Sequence, residues 1–368
     1  KRQAATQPDS VAKLVSVQDA EIPEVDADEY HRLLESVDLD AFAAELDAVR
    51  AGVIESLGPD DADYIRRLIR TQRGLDVAGR AALWAGIFPP AWLGGVSLLS
   101  LAKILENMEI GHNVMHGQWD WLDDERIHST TWEWDHVCPS SQWKHSHNEI
   151  HHQWTNIDGV DHDLGYGAFR INEDQKHRSI NRYQPIVAMG LAAFFDYGIA
   201  LHDVDGLGLF DSSSFDADIA QPKLGESLTK MRELAVKDYV AFPALSFVPF
   251  GPLGVIASAT GAATANLVRN LWTFGVIFCG HFPDDVVMFP PEAADDQRRG
   301  AWYLRQVLGS ANFEGGELTH LMTGNLDHQI EHHLFPDLPS NRYPEIAPKV
   351  RAICESHGIA YNTGAFRS

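Results

Sequence analysis

Cysteine is scarce in this chain. Cys138, Cys279 and Cys354 are the only three in 368 residues, and no two form a Cys-x-x-Cys pair. That spacing excludes a thiolate zinc site, a c-type haem attachment and a disulfide framework, so metal ligands, if present, must be nitrogen or oxygen. Basic residues are also few, 29 against 52 acidic ones, for a net charge of -23. So little Lys and Arg cannot replace the counterions of a phosphate backbone, which argues against nucleic acid as a partner. The opening residues Lys1 to Ser10 contain no apolar run, and no cleavable signal peptide is expected.

Charge is missing from two longer stretches, 81–102 and 239–268, whose lengths reach the threshold for membrane segments. Pro89-Pro90 interrupts the first and Pro249-Phe-Gly-Pro252 the second, so each reads as a helical hairpin of two spans. Arg66, Arg67, Arg70, Arg73 and Arg80 precede one hairpin, and Lys223, Lys230, Arg232 and Lys237 precede the other. By the positive-inside rule both bases face the cytoplasm. Each arm is shorter than the roughly 20 residues of a normal span, which requires snorkelling, helices that outrun the apolar stretch, or partial crossing. A third apolar segment, 185–201, contains Asp196. Because the histidine clusters flanking it must lie on one side, it is expected along the interface or against protein.

Histidine is what the sequence has in quantity, 18 residues, and several are spaced in a pattern. His112-Asn-Val-Met-His116 is followed by His147-Asn-Glu-Ile-His151-His152 and, far downstream, by His328-Gln-Ile-Glu-His332-His333. At this histidine frequency roughly 0.04 matches to a three-histidine pattern are expected by chance. Residues four apart share a helix face, and imidazole is the commonest nitrogen ligand, so each cluster can aim at one point. His281 joins the set by geometry: helices continued from the two hairpins would lift His112 by about 14 Å and His281 by about 18 Å. His31, His128, His136, His162, His177, His202, His320 and His357 belong to no spaced set.

Eight candidates, His112, His116, His147, His151, His152, His281, His332 and His333, exceed what one ion takes, so two metals are implied. In the pairs His151-His152 and His332-His333 neighbouring side chains diverge by about 100°, and each can reach a different ion. Glu109, Glu149, Asp161, Asp163, Asp327 and Glu331 either accept the second ring N–H of ligands or form a solvated face.

These boxes resemble the membrane-bound fatty acid desaturase family, over most of residues 65–361. The resemblance is carried by Gly111-His-Asn-Val-Met-His116-Gly, by the second box with Gln-Trp-Thr-Asn156 after it, and by Asp327-His-Gln-Ile-Glu-His-His-Leu-Phe-Pro-Asp-Leu-Pro-Ser-Asn-Arg342. The last string, with Glu106-Asn-Met-Glu-Ile110, looks most like acyl-CoA desaturases of actinobacteria and their front-end relatives. Three residues separate His147 from His151 where many members have two, so His145 is an alternative first ligand. Gln329 stands where other members carry histidine. It is expected to face the site, with His328, rotated by about 100°, as the alternative. An Asn-x-x-x-His pattern of some relatives is absent, because Ile277 precedes His281 by four.

The resemblance implies an all-α integral membrane protein with four spans in two hairpins under a cytoplasmic helical cap, in a bacterial plasma membrane. It implies two iron ions, dioxygen as co-substrate, and dehydrogenation of a long-chain acyl substrate, such as acyl-CoA, held in an apolar tunnel. No acid or base side chain breaks an unactivated C–H bond, so a redox centre is required. The sequence has no Gly-x-Gly-x-x-Gly fingerprint, no cysteine-rich iron–sulfur run and no His-Pro-Gly-Gly string of a cytochrome b5 domain, so a separate ferredoxin- or flavin-type electron donor is expected. Rival readings are a di-iron acyl or alkane hydroxylase and a non-catalytic metal-binding or transport protein. The expected organisation is a mobile acidic tail over 1–27, amphipathic cytoplasmic helices over 28–72, the membrane domain over 73–342 and a cytoplasmic C-terminal segment over 343–368.

Overall fold

Proline and glycine set the corners of the long helices. In the computed structural model, residues 27–365 are described apart from 162, 168, 172–176, 178, 205–216 and 284–285. All but one residue of the expected acidic tail lie outside the described residues. Helix α1 (Ala27–Ser36) and α2 (Leu39–Ser56) lead to α3 (Pro59–Trp84), which starts on Pro59 with Asp60 and Asp61 in its first turn. Proline is tolerated there because the first N–H groups have no helical acceptor, and the acidic pair suits the helix dipole. The chain turns through residues 85–88 and restarts at α4 (Pro89–Leu105), so Pro89 and Pro90 open the second arm of this hairpin.

The two arms pack closely because they meet at glycine. A Cβ on Gly79 would lie 2.7 Å from the backbone nitrogen of Leu99, inside any permitted contact. Small residues of this kind let helix backbones approach where no water drives them together.

After α5 (Gln184–Ala193), α6 (Phe195–Asp203) and α7 (Ala217–Val236), a π-helical turn, Lys237–Ala241, leads into the second hairpin. Its other arm is α8 (Phe247–His281), broken at Gly251, whose φ of 60° and ψ of -154° only glycine adopts readily. Tyr239 and Asn266 stand side by side, hydroxyl to amide at 2.9 Å, on either side of that corner. The hairpin tips touch: Phe88 meets Phe250 edge to face at 5.8 Å, and the Trp92 indole donates to the Ala257 carbonyl at 3.1 Å.

At the base, Lys103 lies between Asp135 and Asp238, 2.9 Å from each, and Arg80 pairs with Asp238 at 3.0 Å. The outer faces of the arms are apolar and bare: Val248 is 90% and Leu253 71% exposed, with Val77, Leu93 and Ile256 also outward. Contiguous apolar surface of this kind marks contact with something other than water. By length and composition α8 alone among the described helices qualifies as a single membrane crossing. The first apolar arm ends α3 at Trp84, and the second makes up most of the 17-residue α4. Residues 181–193 and 195–203, which include the third apolar segment, bend by 100° and form no straight span. Its Asp196 is buried, accepting from Arg269 at 2.6 Å and Asn270 at 3.0 Å.

Opposite the tips, α1 and α2 pack on α9 (Arg299–Leu308), α11 (Gln329–Leu334) and α12 (Tyr343–Ser356). Leu39, Phe42, Leu46 and Val53 enter that core, as their helical spacing requires, while Val49 is partly buried. Among the described residues a short pair of strands departs from the all-α expectation: β1 (Asn312–Glu314) pairs in parallel with β2 (Thr363–Ala365), Phe313 opposite Gly364. Such a short pair across a long sequence gap is set by tertiary contact and leaves no periodic signal.

Candidate metal centre

Each histidine cluster arrives on a helical element anchored elsewhere. The first continues α4 through a π-helical turn, Glu106–His112, into Asn113–Met115. The second occupies another π-helical turn, Lys144–His151, followed by His152–Trp154. Both segments were expected to follow α-helical spacing, and both are instead widened by one residue per hydrogen-bonded ring. π-turns are costly in isolation and recur where function needs a shifted side-chain register. The third cluster lies on α11, and His281 is the last residue of α8.

The donor atoms of His112, His116, His147 and His332 all lie within 4.8 Å of one another, and so do those of His151, His281 and His333. In the second group the Nε2 atom of His281 is 3.0 Å from Nε2 of His151 and 3.2 Å from Nε2 of His333. The Gln329 amide nitrogen is also 3.2 Å from it. His332 and His333 point into different groups, their rings nearly perpendicular at 86°. His152 sits between the groups, its ring centroid 4.7 Å from His116, 4.8 Å from His332 and 4.5 Å from His333. The seven histidines singled out by spacing, His281 and Gln329 are all gathered here.

Two observations fit these groups to metal ions. Nε2 of His116, His147 and His332 and both ring nitrogens of His152 are buried without a hydrogen-bond partner. Leaving such an atom unpaired costs about 1–3 kcal/mol each, which a bound cation would offset. Second, nitrogens sharing one ion at about 2.1 Å stand about 3.0–3.4 Å apart, the spacing found around His281. Burial, helped by the neighbouring His147, pushes His112 down to about 3, and burial likewise holds His116, His152, His332 and His333 far below the usual imidazole range. Neutral rings keep the lone pairs that metals require.

Oxygen acceptors fix which nitrogen is free. His151 donates through Nδ1 to Asp161 at 2.9 Å, His147 to Asp163 at 3.1 Å and His281 to the Ile277 carbonyl at 3.0 Å. His112 leans on Asn113 at 2.9 Å and His333 on Gln306 at 3.1 Å. In each case Nε2 is left bare toward the centre. Asp161 and Asp163 were foreseen in this role. Glu109 acts one step removed, through Asn113, and also accepts from Asn325, while Glu331 holds Asn312 and Tyr361. Glu149 is exposed and pairs with His145, which places His145 outside the centre. His328 turns away to Asp327 and His320, so of the adjacent pair only Gln329 reaches the centre. Asn113, Gln306 and His202, whose Nε2 is 2.9 Å from Asp163, were missed, because no spacing pattern marks them.

A cavity opens beside the two groups. His112, His147, His281 and Gln329 form one wall, and Met108, Trp134, Phe195, Ile199 and Ile277 supply apolar surface.

Residues 88–365 match the family model for fatty acid desaturases. An NADPH-dependent stearoyl-CoA 9-desaturase of Mycobacterium tuberculosis is 47% identical over 337 residues, covering 90% of this chain and 78% of that protein. An sn-1 linoleoyl-lipid 6-desaturase of Synechocystis is 28% identical, covering 76% of this chain and 77% of its own length. The Delta(5) fatty acid desaturase A of Dictyostelium discoideum is 27% identical over 285 residues, covering 72% of this chain and 57% of that protein.

Proposed function

The chain belongs to the fatty acid desaturase family, an oxidoreductase family, and we propose that it introduces a cis double bond into a long-chain fatty acyl-CoA at a pair of irons. The observation that carries this reading is the meeting of two imidazole groups, with unpartnered nitrogens on His116, His147, His332 and His152, beside an apolar cavity. His112, His116, His147 and His332 would hold one iron, His151, His281 and His333 the other, with His152 between them and Gln329 beside the second. Bound there, the irons would supply the oxidising power, with dioxygen, that no side chain has.

The atoms balance as follows: the acyl chain loses two hydrogens from adjacent methylene carbons, dioxygen takes four electrons and four protons, and two waters form. Two of the electrons come from the C–H bonds and two from outside. Since the sequence has no flavin, nicotinamide or iron–sulfur motif, a separate ferredoxin- or flavin-type donor is proposed.

The chain's own residues perform the positioning. Asp161 and Asp163 hold His151 and His147 in the tautomer that presents Nε2, and Gln306 does the same for His333. The apolar wall of Met108, Phe195, Ile199 and Ile277 would receive methylene carbons and keep water from the reacting bond. The two hairpins would span the bacterial plasma membrane as four arms. Arginines before the first and lysines before the second favour a cytoplasmic metal site.

The test is gas chromatography of lipids from a host expressing this chain, with double-bond positions mapped, alongside metal analysis. A new monounsaturated acid two mass units below its precursor, absent with His332→Ala, and about two irons per chain support the reading. A product heavier by one oxygen identifies a hydroxylase instead, and zinc alone without product identifies a binding or transport protein.

A further inference from the structure

Apart from the central histidines, a third group of ligand-type side chains closes on itself. His320, Asp327 and His328 each offer one donor atom, and those atoms lie within 4.8 Å of one another. His320 sits on α10 (Glu317–Thr323), and Asp327 and His328 lie in the turn that leads into α11. Nδ1 of His320 contacts Oδ2 of Asp327, and Nδ1 of His328 lies 3.5 Å from that same oxygen. The two imidazole centroids are 5.0 Å apart.

Hydrogen bonding leaves one ring nitrogen of this arrangement without a partner. The Asp327 side chain is buried, its Oδ1 takes the Thr323 hydroxyl at 3.0 Å, and His320 already serves Oδ2. Nδ1 of His328 lies 3.5 Å from the same atom, beyond a good hydrogen bond, and is buried without a hydrogen-bond partner. The rings themselves stay accessible, at 23% and 15% side-chain exposure, and border a solvent-open cleft shared with Glu314 and Arg351.

We propose that His320, Asp327 and His328 form a further metal site, distinct from the central histidines, that binds a divalent cation of the zinc type. Two imidazole nitrogens and one carboxylate oxygen are zinc donors, and the cleft leaves a fourth position for water. Calcium and magnesium prefer all-oxygen shells, which this group cannot supply, and thiolate-seeking ions find no sulfur here. The ion would tie α10 to the first turn of α11. Gln329 follows His328 directly, so binding stiffens the third histidine box from outside the centre.

The experiment titrates zinc chloride into purified full-length protein against a chromophoric chelator and follows thermal unfolding of the same samples. Wild type should bind one zinc per chain that His320→Ala lacks, with affinity down on the order of 100-fold or more, since losing a ligand costs more than losing its outer partner. Zinc should raise the unfolding temperature of wild type and leave the variant unmoved. His320→Gln, which can still hydrogen-bond Asp327, should lose the zinc equally and replaces the alanine variant if that fails to fold. Iron content, measured in parallel, should match between wild type and variant, which separates this site from the central one. Equal zinc binding in wild type and both variants overturns the proposal, as does a wild type that binds no such zinc.

Discussion

His151 and His281 stand 3.0 Å apart at their Nε2 atoms, across 130 residues of sequence, with each Nδ1 committed to an oxygen. A cation shared by the two nitrogens would account for this approach, so His281 is expected to be as essential as any boxed histidine. His281→Ala should lower bound iron from about two toward one per chain and reduce product formation more than ~100-fold. Metal analysis with product chromatography checks this, and near-normal activity would remove His281 from the ligand set.

The carboxylates behind the histidines should matter less than the ligands but measurably. Asp161→Asn and Asp163→Asn keep shape and lose charge, and each is expected to cost ~10–100-fold in metal affinity or activity. Asp161 serves a His151 that is otherwise fully enclosed, and it also takes the Asn156 N–H at 2.8 Å. Its variant should therefore also unfold at lower temperature, whereas Asp163→Asn should act mainly on metal retention.

At the base of the hairpins, Lys103 bridges two carboxylates, the buried Asp238 and the partly buried Asp135. Lys103→Met leaves them facing each other with only Lys237 and Arg80 to compensate. Stability should fall by about 3 kcal/mol, the lower end for breaking a buried pair, as read by thermal unfolding in detergent. Adding Asp238→Asn should restore part of the loss, because a neutral amide costs less to bury than an unpaired charge.

Glu109 gives a pH dependence with a definite sign. Burial pushes its carboxyl up to about 7, despite hydrogen bonds from Tyr64, Ser340 and Asn325. A folded value above the unfolded one means that the native state holds the extra proton. Its contribution is therefore complete below about 4.5 and is lost as pH rises through about 7. Glu109→Gln removes this titration, so the stability gap between variant and wild type should shift in the variant's favour between pH 5 and 8, by up to about 3 kcal/mol. A gap that does not change with pH would show that Glu109 is ionised throughout.

Purified protein given NADPH and an acyl-CoA should form no product until an electron donor is added. Turnover without one would place the redox relay inside this chain.

Much of the site was legible because metal ligation demands residue types at short spacing. His112 with His116 and His332 with His333 stand out from any background, and adjacency alone foretold that neighbours would serve different groups. Between Gln329 and His328 the sequence said only that one of two consecutive residues can face a given side, and the fold put Gln329 there. What could not be read was whatever depends on long-range approach. Asn113 hides beside a ligand, and Gln306 lies 27 residues before the His333 it orients. His320 belonged to no pattern until folding set it against Asp327 and His328. The π-helical turns under the first two boxes were likewise invisible, because a one-residue widening leaves the apolar periodicity almost unchanged.

By itself the sequence marked the candidate nitrogen ligands, their helical carriers, the apolar arms with corners at proline and glycine, and the family that these features define. Tertiary structure alone decided the partition of seven imidazoles into two groups with His152 between them, the selection of acceptors behind them and the bend in the third apolar segment. Those outcomes depend on distances of a few ångströms between segments far apart in the chain. Side-chain spacing along a helix is local and fixed by backbone geometry, whereas the meeting of two helices is set by packing, which no single segment encodes.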